Sequence, residues 1–146
     1  MPGIVVGVDG SGHSQRALEW AMKEAAVRKA PLTVMTVHQL IKGYFGGNVV
    51  FPDDPALAEK ARQLVQAEVE EALSTLGPQR PETVTVRALS GSVVEELVNA
   101  GKDADLLVVG SRGAGGFTQM LLGSVSSLVV QHATCPVVIV PPDRHK

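Results

Sequence analysis

Five short apolar runs, separated by helical stripes and turns, constrain this 146-residue chain more than anything else in it. Ile4-Val5-Val6-Gly7-Val8 is apolar throughout, as a strand buried on both faces requires. Leu106 to Val109 and Val137 to Val140 read the same way, Leu32-Thr33-Val34-Met35-Thr36-Val37 reads as the second strand, and Thr83 to Leu89 alternates Val84, Val86 and Ala88 against Thr83, Thr85 and Arg87. Between them the apolar period changes to that of a helix. Ala17, Leu18, Ala21, Met22 and Ala25 form one stripe, expected to be capped by Ser14 and closed by Pro31. The longest helix is expected over Ala56 to Leu76, with Leu57, Ala61, Leu64, Val65, Val69, Ala72, Leu73 and Leu76 along one side and Gly77-Pro78 at its end. Ser92-Val93-Val94-Glu95 has the form of a capping box opening a helix to about Gly101, and a last helix runs from Ser124 to about Ala133.

Strands alternating with helices imply an α/β fold, a doubly wound parallel sheet with helices on both faces. Right-handed crossovers leave few topologies, and five strands in the order 3-2-1-4-5 are expected for a single domain over residues 1–146. A chain of this length buries about 70% of its unfolded surface. That strand order places a switch point between the first and fourth strands, where open α/β sheets bind ligands at the strands' carboxyl ends. The loops arriving there are Asp9–Ser14 and Gly110–Ser124.

A net charge of −2 argues against a nucleic-acid binder, which ordinarily carries a basic stripe. The single cysteine, Cys135, permits no disulfide within the chain, and no Cys/His pairs have zinc spacing. No signal-peptide pattern precedes Ile4, and Ile4 to Val8 is too short to span a bilayer. A cytoplasmic protein with no membrane partner is therefore expected.

The familiar nucleotide and nucleophile signatures are missing. No G-x-x-x-x-G-K-[ST] occurs, Gly110, Gly113, Gly115 and Gly116 do not satisfy G-x-G-x-x-G, and there is no G-x-S-x-G elbow. Ser11 and Ser14 lie near His13, but neighbours in one loop seldom make a nucleophile–base pair. What does occur is G-x2-G-x9-G-[ST], as Gly110, Gly113, Gly123 and Ser124. A glycine-rich loop leading from a strand into a helix is a natural anion site, because first-turn N–H groups and the helix dipole both favour negative charge. Glycine also lets the backbone approach a ligand closely. The competing reading is a loop that only turns the chain.

With Val8-Asp9-Gly10-Ser11, the run Ala104 to Gly113, Leu122-Gly123-Ser124-Val125-Ser126 and the closing Cys135 to Val140, this spacing resembles the universal stress protein family over nearly the whole chain. The resemblance implies an adenine-nucleotide alpha-hydrolase-like fold, a homodimer, and ATP bound with Mg2+. Gly110, Ser111 and Gly113 would wrap the phosphates, and Gly123, Ser124 and Val125 would bring the helix entry to them. Ser124 is equally a candidate N-cap. Val8, Asp9 and Gly10 would border the ribose, with Asp9 holding a ribose hydroxyl or metal-bound water; alternatively Asp9 is the acceptor of an Asx-turn. Val37 would face adenine or simply pack in the core. Arg112 would clamp phosphate oxygens or sit in solvent. Tyr44, Phe45 and Phe51, in the connection from His38 to Pro55, would cover the base or pack on their own domain. Ser126 and Ser127 read as buried or solvated helix residues rather than ligands.

Val137, Val138, Ile139 and Val140 are apolar throughout, yet they lie at the sheet edge in the expected order. An apolar edge invites pairing, so a twofold dimer of antiparallel edge strands is expected. As for activity, the resemblance implies a stress-response regulator or sensor that binds ATP and acts on an unidentified protein partner. Nucleotide would order the glycine loop and the His38–Pro55 segment. No catalytic residue or protein metal ligand is assigned, and hydrolysis would be weak or absent. The alternatives are a slow ATPase and a scaffold for AMP or a cyclic nucleotide. Adenylate-transferring relatives often present S-G-G-x-D-S after the first strand, which Gly10-Ser11-Gly12-His13-Ser14 does not match.

Overall fold

The computed structural model describes residues 3–9, 12–39, 55–111 and 123–141, and within them strands and helices alternate. The elements are β1 (Ile4–Gly7), α1 (Gly12–Arg28), β2 (Leu32–Gln39), α2 (Pro55–Leu76), β3 (Val84–Gly91), α3 (Val93–Gly101), β4 (Leu106–Gly110), α4 (Ser124–His132) and β5 (Val137–Val140). All five strands join one parallel sheet in the order β3-β2-β1-β4-β5. This is the expected topology, and it follows from helical crossovers that return each strand beside an earlier one.

Period two along each strand divides the core into two halves. On one face Ile4, Val6 and Val8, with Leu32, Val34, Leu106 and Val108, pack against α1 and α2. The α1 stripe Ala17, Leu18, Ala21, Met22 and Ala25 is completely buried there. On α2 Val65, Val69 and Ala72 are buried, but Leu57 and Leu64, expected on the same side, are exposed, because the helix is longer than the sheet face it covers is wide and its buried stripe is narrower than its apolar positions. On the other face Val5, Met35, Leu107 and Val109 pack against Leu97 of α3 and Val129 of α4. Gly7 belongs to this second face. A Cβ added to it would lie 2.9 Å from Leu97 Cδ2, so the missing side chain lets α3 lie close on β1. Among the described residues no helix is long and apolar enough to cross a membrane.

The helix ends depart from expectation in two places. The first helix begins at Gly12, so Ser14 lies inside its first turn rather than capping it. Ser14 is buried, and its Oγ accepts a hydrogen bond from the Asp9 N–H at 3.3 Å. The same hydroxyl geometry that makes serine a cap serves here to hold Asp9, two residues beyond β1. Likewise Ser124 is the first helical residue of α4, and the N-cap is Gly123, which makes no side-chain cap hydrogen bond. The α3 cap is as expected: Ser92 accepts from the Glu95 N–H. At the far end of α1, Lys29 takes a left-handed conformation (φ 54°), and the Ala30 N–H reaches back to the Ala25 carbonyl at 3.0 Å. That is a Schellman closure with lysine in the usual glycine position.

Candidate functional site

At the carboxyl edge of the sheet, β1 stops earliest. Gly7 is level with Met35, so Val37 on β2 stands two residues further along, beside the chain leaving β1. Val8 is buried and donates its N–H to the Met35 carbonyl at 2.8 Å, and Asp9 emerges exposed. On the opposite side of β1, Val6 is level with Val108, so β4 also runs past it to Gly110. The short central strand between two longer neighbours leaves a notch bordered by Val8, Asp9, Val37 and Gly110. Val8, Asp9, Val37 and Gly110 therefore meet at one edge, on or just beyond three adjacent strands. Gly10, Arg112 and Gly113 lie outside the described residues, as do Tyr44, Phe45 and Phe51.

Beyond β4 the chain is tied at a neck. Ser111 is buried and donates its N–H to the Val140 carbonyl at 2.9 Å, extending the β4–β5 ladder by one bond. Its carbonyl accepts the N–H of Gly123, eleven intervening positions (112–122) later in sequence. The buried Ser126 hydroxyl points back from α4 to the same Ser111 carbonyl (3.2 Å) and to the Gly123 carbonyl (3.1 Å). Ser124 is exposed at the helix entry and Val125 is half-buried. The first turn of α4 thus opens at the carboxyl edge, with no cap side chain from Gly123 across its N–H groups.

A second carboxylate belongs to this region. Burial of Glu68 on α2, with the negative charge of Asp9 next and that of Glu71 after it, raises the Glu68 carboxyl above the ordinary value of 4.5. Reading the sequence missed Glu68, because nothing in the α2 pattern ties it to the end of β1. It also set Ser126 aside as an ordinary helix residue, and the neck was visible only once the fold had brought Ser111 and Gly123 together.

His38 is exposed, and His132 is exposed at the end of α4. His132 lines a groove of about 700 Å³ between α3 and α4, together with Ser92, Val98, Ser124, Val125 and Leu128. Among the described residues no group of three or more His, Cys, Asp or Glu stands where it could hold a metal ion.

A family model described as the universal stress protein family matches residues 2–141. A universal stress protein of Mycolicibacterium smegmatis is 35% identical over 148 residues, covering 97% of this chain and 48% of that protein. The chain spans about half the length of the curated relatives it matches. Among solved structures, a universal stress protein in complex with cAMP is 30% identical, covers 95% of both chains and superposes with a TM-score of 0.64. UspA from Lactobacillus plantarum is 25% identical over 95% of this chain and 97% of that one, with a TM-score of 0.66.

Proposed function

The chain belongs to the universal stress protein family, and from that premise we propose that it binds an adenine nucleotide, ATP in the first place, at the carboxyl edge of β2, β1 and β4. The observation that carries this reading is a contrast between two helix entries in one sheet. The first turn of α3 is closed by its own Ser92, whereas Gly123 at the head of α4 offers no side chain. A helix entry left in that state suits a phosphate, which satisfies the first-turn N–H groups and complements the helix dipole. Ser124 and Val125 would offer first-turn N–H groups to the phosphates and Gly110 and Gly113 would let the loop backbone wrap them, while Ser111 and Gly123, whose N–H groups are given to the Val140 and Ser111 carbonyls, would set the edge of the cradle, with Arg112 as a further cation. Val8, Asp9 and Gly10 would border the ribose, and Val37 on the longer β2 would face the base. Any Mg2+ would travel with the phosphates.

The relative solved with cAMP supports adenine and ribose recognition in this fold, and it also favours a second reading in which AMP or a cyclic nucleotide is the resident ligand. The two readings share base and sugar contacts and differ in the number of phosphates used. The G-x2-G-x9-G-[ST] spacing favours the triphosphate. The protein works as a nucleotide-dependent regulator in stress response, with turnover slow or absent, and as a homodimer paired through β5. Titration calorimetry with ATP, AMP and cAMP, each with and without Mg2+, tests the reading. ATP is expected to bind more tightly than AMP; flat traces with all three would overturn it, and preference for cAMP would move the conclusion to the second ligand. Multiple turnovers per minute in a phosphate-release assay, abolished in Asp9→Asn, would make the protein an enzyme instead.

A further inference from the structure

We infer that Ser126 is a positioning residue for the proposed nucleotide site: its hydroxyl locks together Ser111 and Gly123, the two residues from which segment 112–122 departs and to which it returns. The inference rests on the nucleotide-binding reading for its effect on affinity, and on geometry alone for the lock itself.

A serine hydroxyl carries one proton. That of Ser126 is shared between two carbonyls, those of Ser111 at 3.2 Å and Gly123 at 3.1 Å. Both carbonyls already accept a backbone N–H. Gly123 donates to Ser111, and Ser127 donates to Gly123 at 3.0 Å. With the hydroxyl added, each oxygen uses both lone pairs, and the strand end and helix entry are joined by two bonds instead of one, the contact with the Gly123 carbonyl lying within the helix entry itself. The Ser111 N–H extends the connection to Val140 of β5. The side chain is 2% exposed, so solvent does not compete with these bonds.

Ser126 is not among the residues proposed to meet the nucleotide; it acts through two that are, Ser111 and Gly123. Gly123 makes no side-chain cap hydrogen bond, so without Ser126 the helix entry rests on the backbone bond from Gly123 to the Ser111 carbonyl, a single contact that does not fix its angle to the strand. Ser126, one turn inside α4, supplies that constraint by reaching back across the entry. A preorganised cradle binds more tightly because less order must be created on binding. Alanine at this position removes the hydroxyl but leaves both carbonyls paired to a backbone N–H, so the fold is expected to survive. Threonine retains an oxygen able to bond the carbonyl three residues back, which here is Gly123.

The test compares the wild-type chain with Ser126→Ala and Ser126→Thr in two measurements. Amide hydrogen exchange without ligand is expected to show faster exchange of the Gly123 N–H in the alanine variant, with the amides of β1 and β4 unchanged. Titration with ATP is expected to show about a five- to tenfold weaker affinity for the alanine variant, the size of one lost hydrogen bond, with threonine restoring most of it. Unchanged exchange at Gly123 would overturn the lock. Faster exchange throughout the strands would show a merely structural role and overturn the inference, as would undiminished ATP affinity in the alanine variant. A wild-type chain that binds no adenine nucleotide would sink the nucleotide reading, and the exchange result would still decide the lock.

Discussion

Glu68 and Asp9 are brought within electrostatic reach by the packing of α2 over β2 and β3 and against α1, and the consequence is a carboxyl whose ordinary proton affinity is raised, first by burial and then by Asp9 and Glu71. A value raised in the folded state means that ionisation opposes folding. Below the ordinary carboxylate range both folded and unfolded chains hold the proton, and the penalty is absent. It develops as pH rises through the unfolded-state value of 4.5 and is complete above the folded-state value. Glu68→Gln keeps the shape and removes the charge, so it is expected to melt slightly higher than the wild type at pH 7. The gain should be small, since Glu68 is only half-buried and solvent screens its neighbours. Melting curves across pH check it: the advantage should shrink to nothing below about pH 4.5, and an advantage that grows towards acid would contradict the assignment. This pairing could not be read in the sequence. Asp9 was legible because it follows an apolar run, whereas Glu68 is one of several acids on a long helix and acquires its role from a neighbour remote along the chain.

At the scale of elements, the two helix entries on the second face of the sheet invite opposite experiments. Ser92 accepts from the Glu95 N–H, and its replacement by alanine is expected to lower stability by about 1 kcal/mol, measured by urea unfolding, without touching nucleotide affinity. Gly123 has φ −70° and ψ 167°, a conformation open to any residue, so Gly123→Asp can install the missing cap. Its carboxylate would occupy the first-turn N–H groups and repel phosphate, so ATP affinity should fall more than tenfold while the fold is retained. If Gly123→Asp binds ATP as the wild type does, the α4 entry is not the phosphate site. The strands, the helices and the sheet order were all legible, because each run has the length and period its burial demands. The roles of Ser14 and Ser124 were not. A serine near a helix start can cap the helix, hold the preceding loop, or stand aside for another group, and the choice depends on contacts made across the fold. Ser14 turned to Asp9, and the α4 entry was arranged by Ser111 and Ser126 instead.

At the scale of the whole molecule, β5 closes one side of the sheet without a partner of its own within the described residues. The Leu107 N–H donates to the Pro136 carbonyl and the Ser111 N–H to the Val140 carbonyl. In a parallel ladder the residues between these positions alternate, so Val137 and Ile139 turn their N–H and C=O groups outward. Val138 packs on one face of the sheet and Val137 and Ile139 on the other, so the side chains of this edge are already committed and only its backbone is available. Beside it, Arg16 of α1 donates to the Pro141 carbonyl, and Trp20, one turn along the same face, is 37% exposed. An open apolar edge favours self-pairing, and a twofold axis near Val138 would set the outward groups of Val137 and Ile139 opposite those of a second copy. Relatives of twice this length have room for a second such unit on the same chain. The proposed dimer predicts a mass of two chains by sedimentation equilibrium at micromolar concentration. Val137→Pro deletes one outward N–H at the first residue of the strand, where proline is tolerated, and should yield monomers with an unchanged circular dichroism spectrum. Because the bonds from Pro136 and Val140 to β4 remain, a folded monomer would locate the interface at this edge, whereas a folded dimer would place it elsewhere on the molecule.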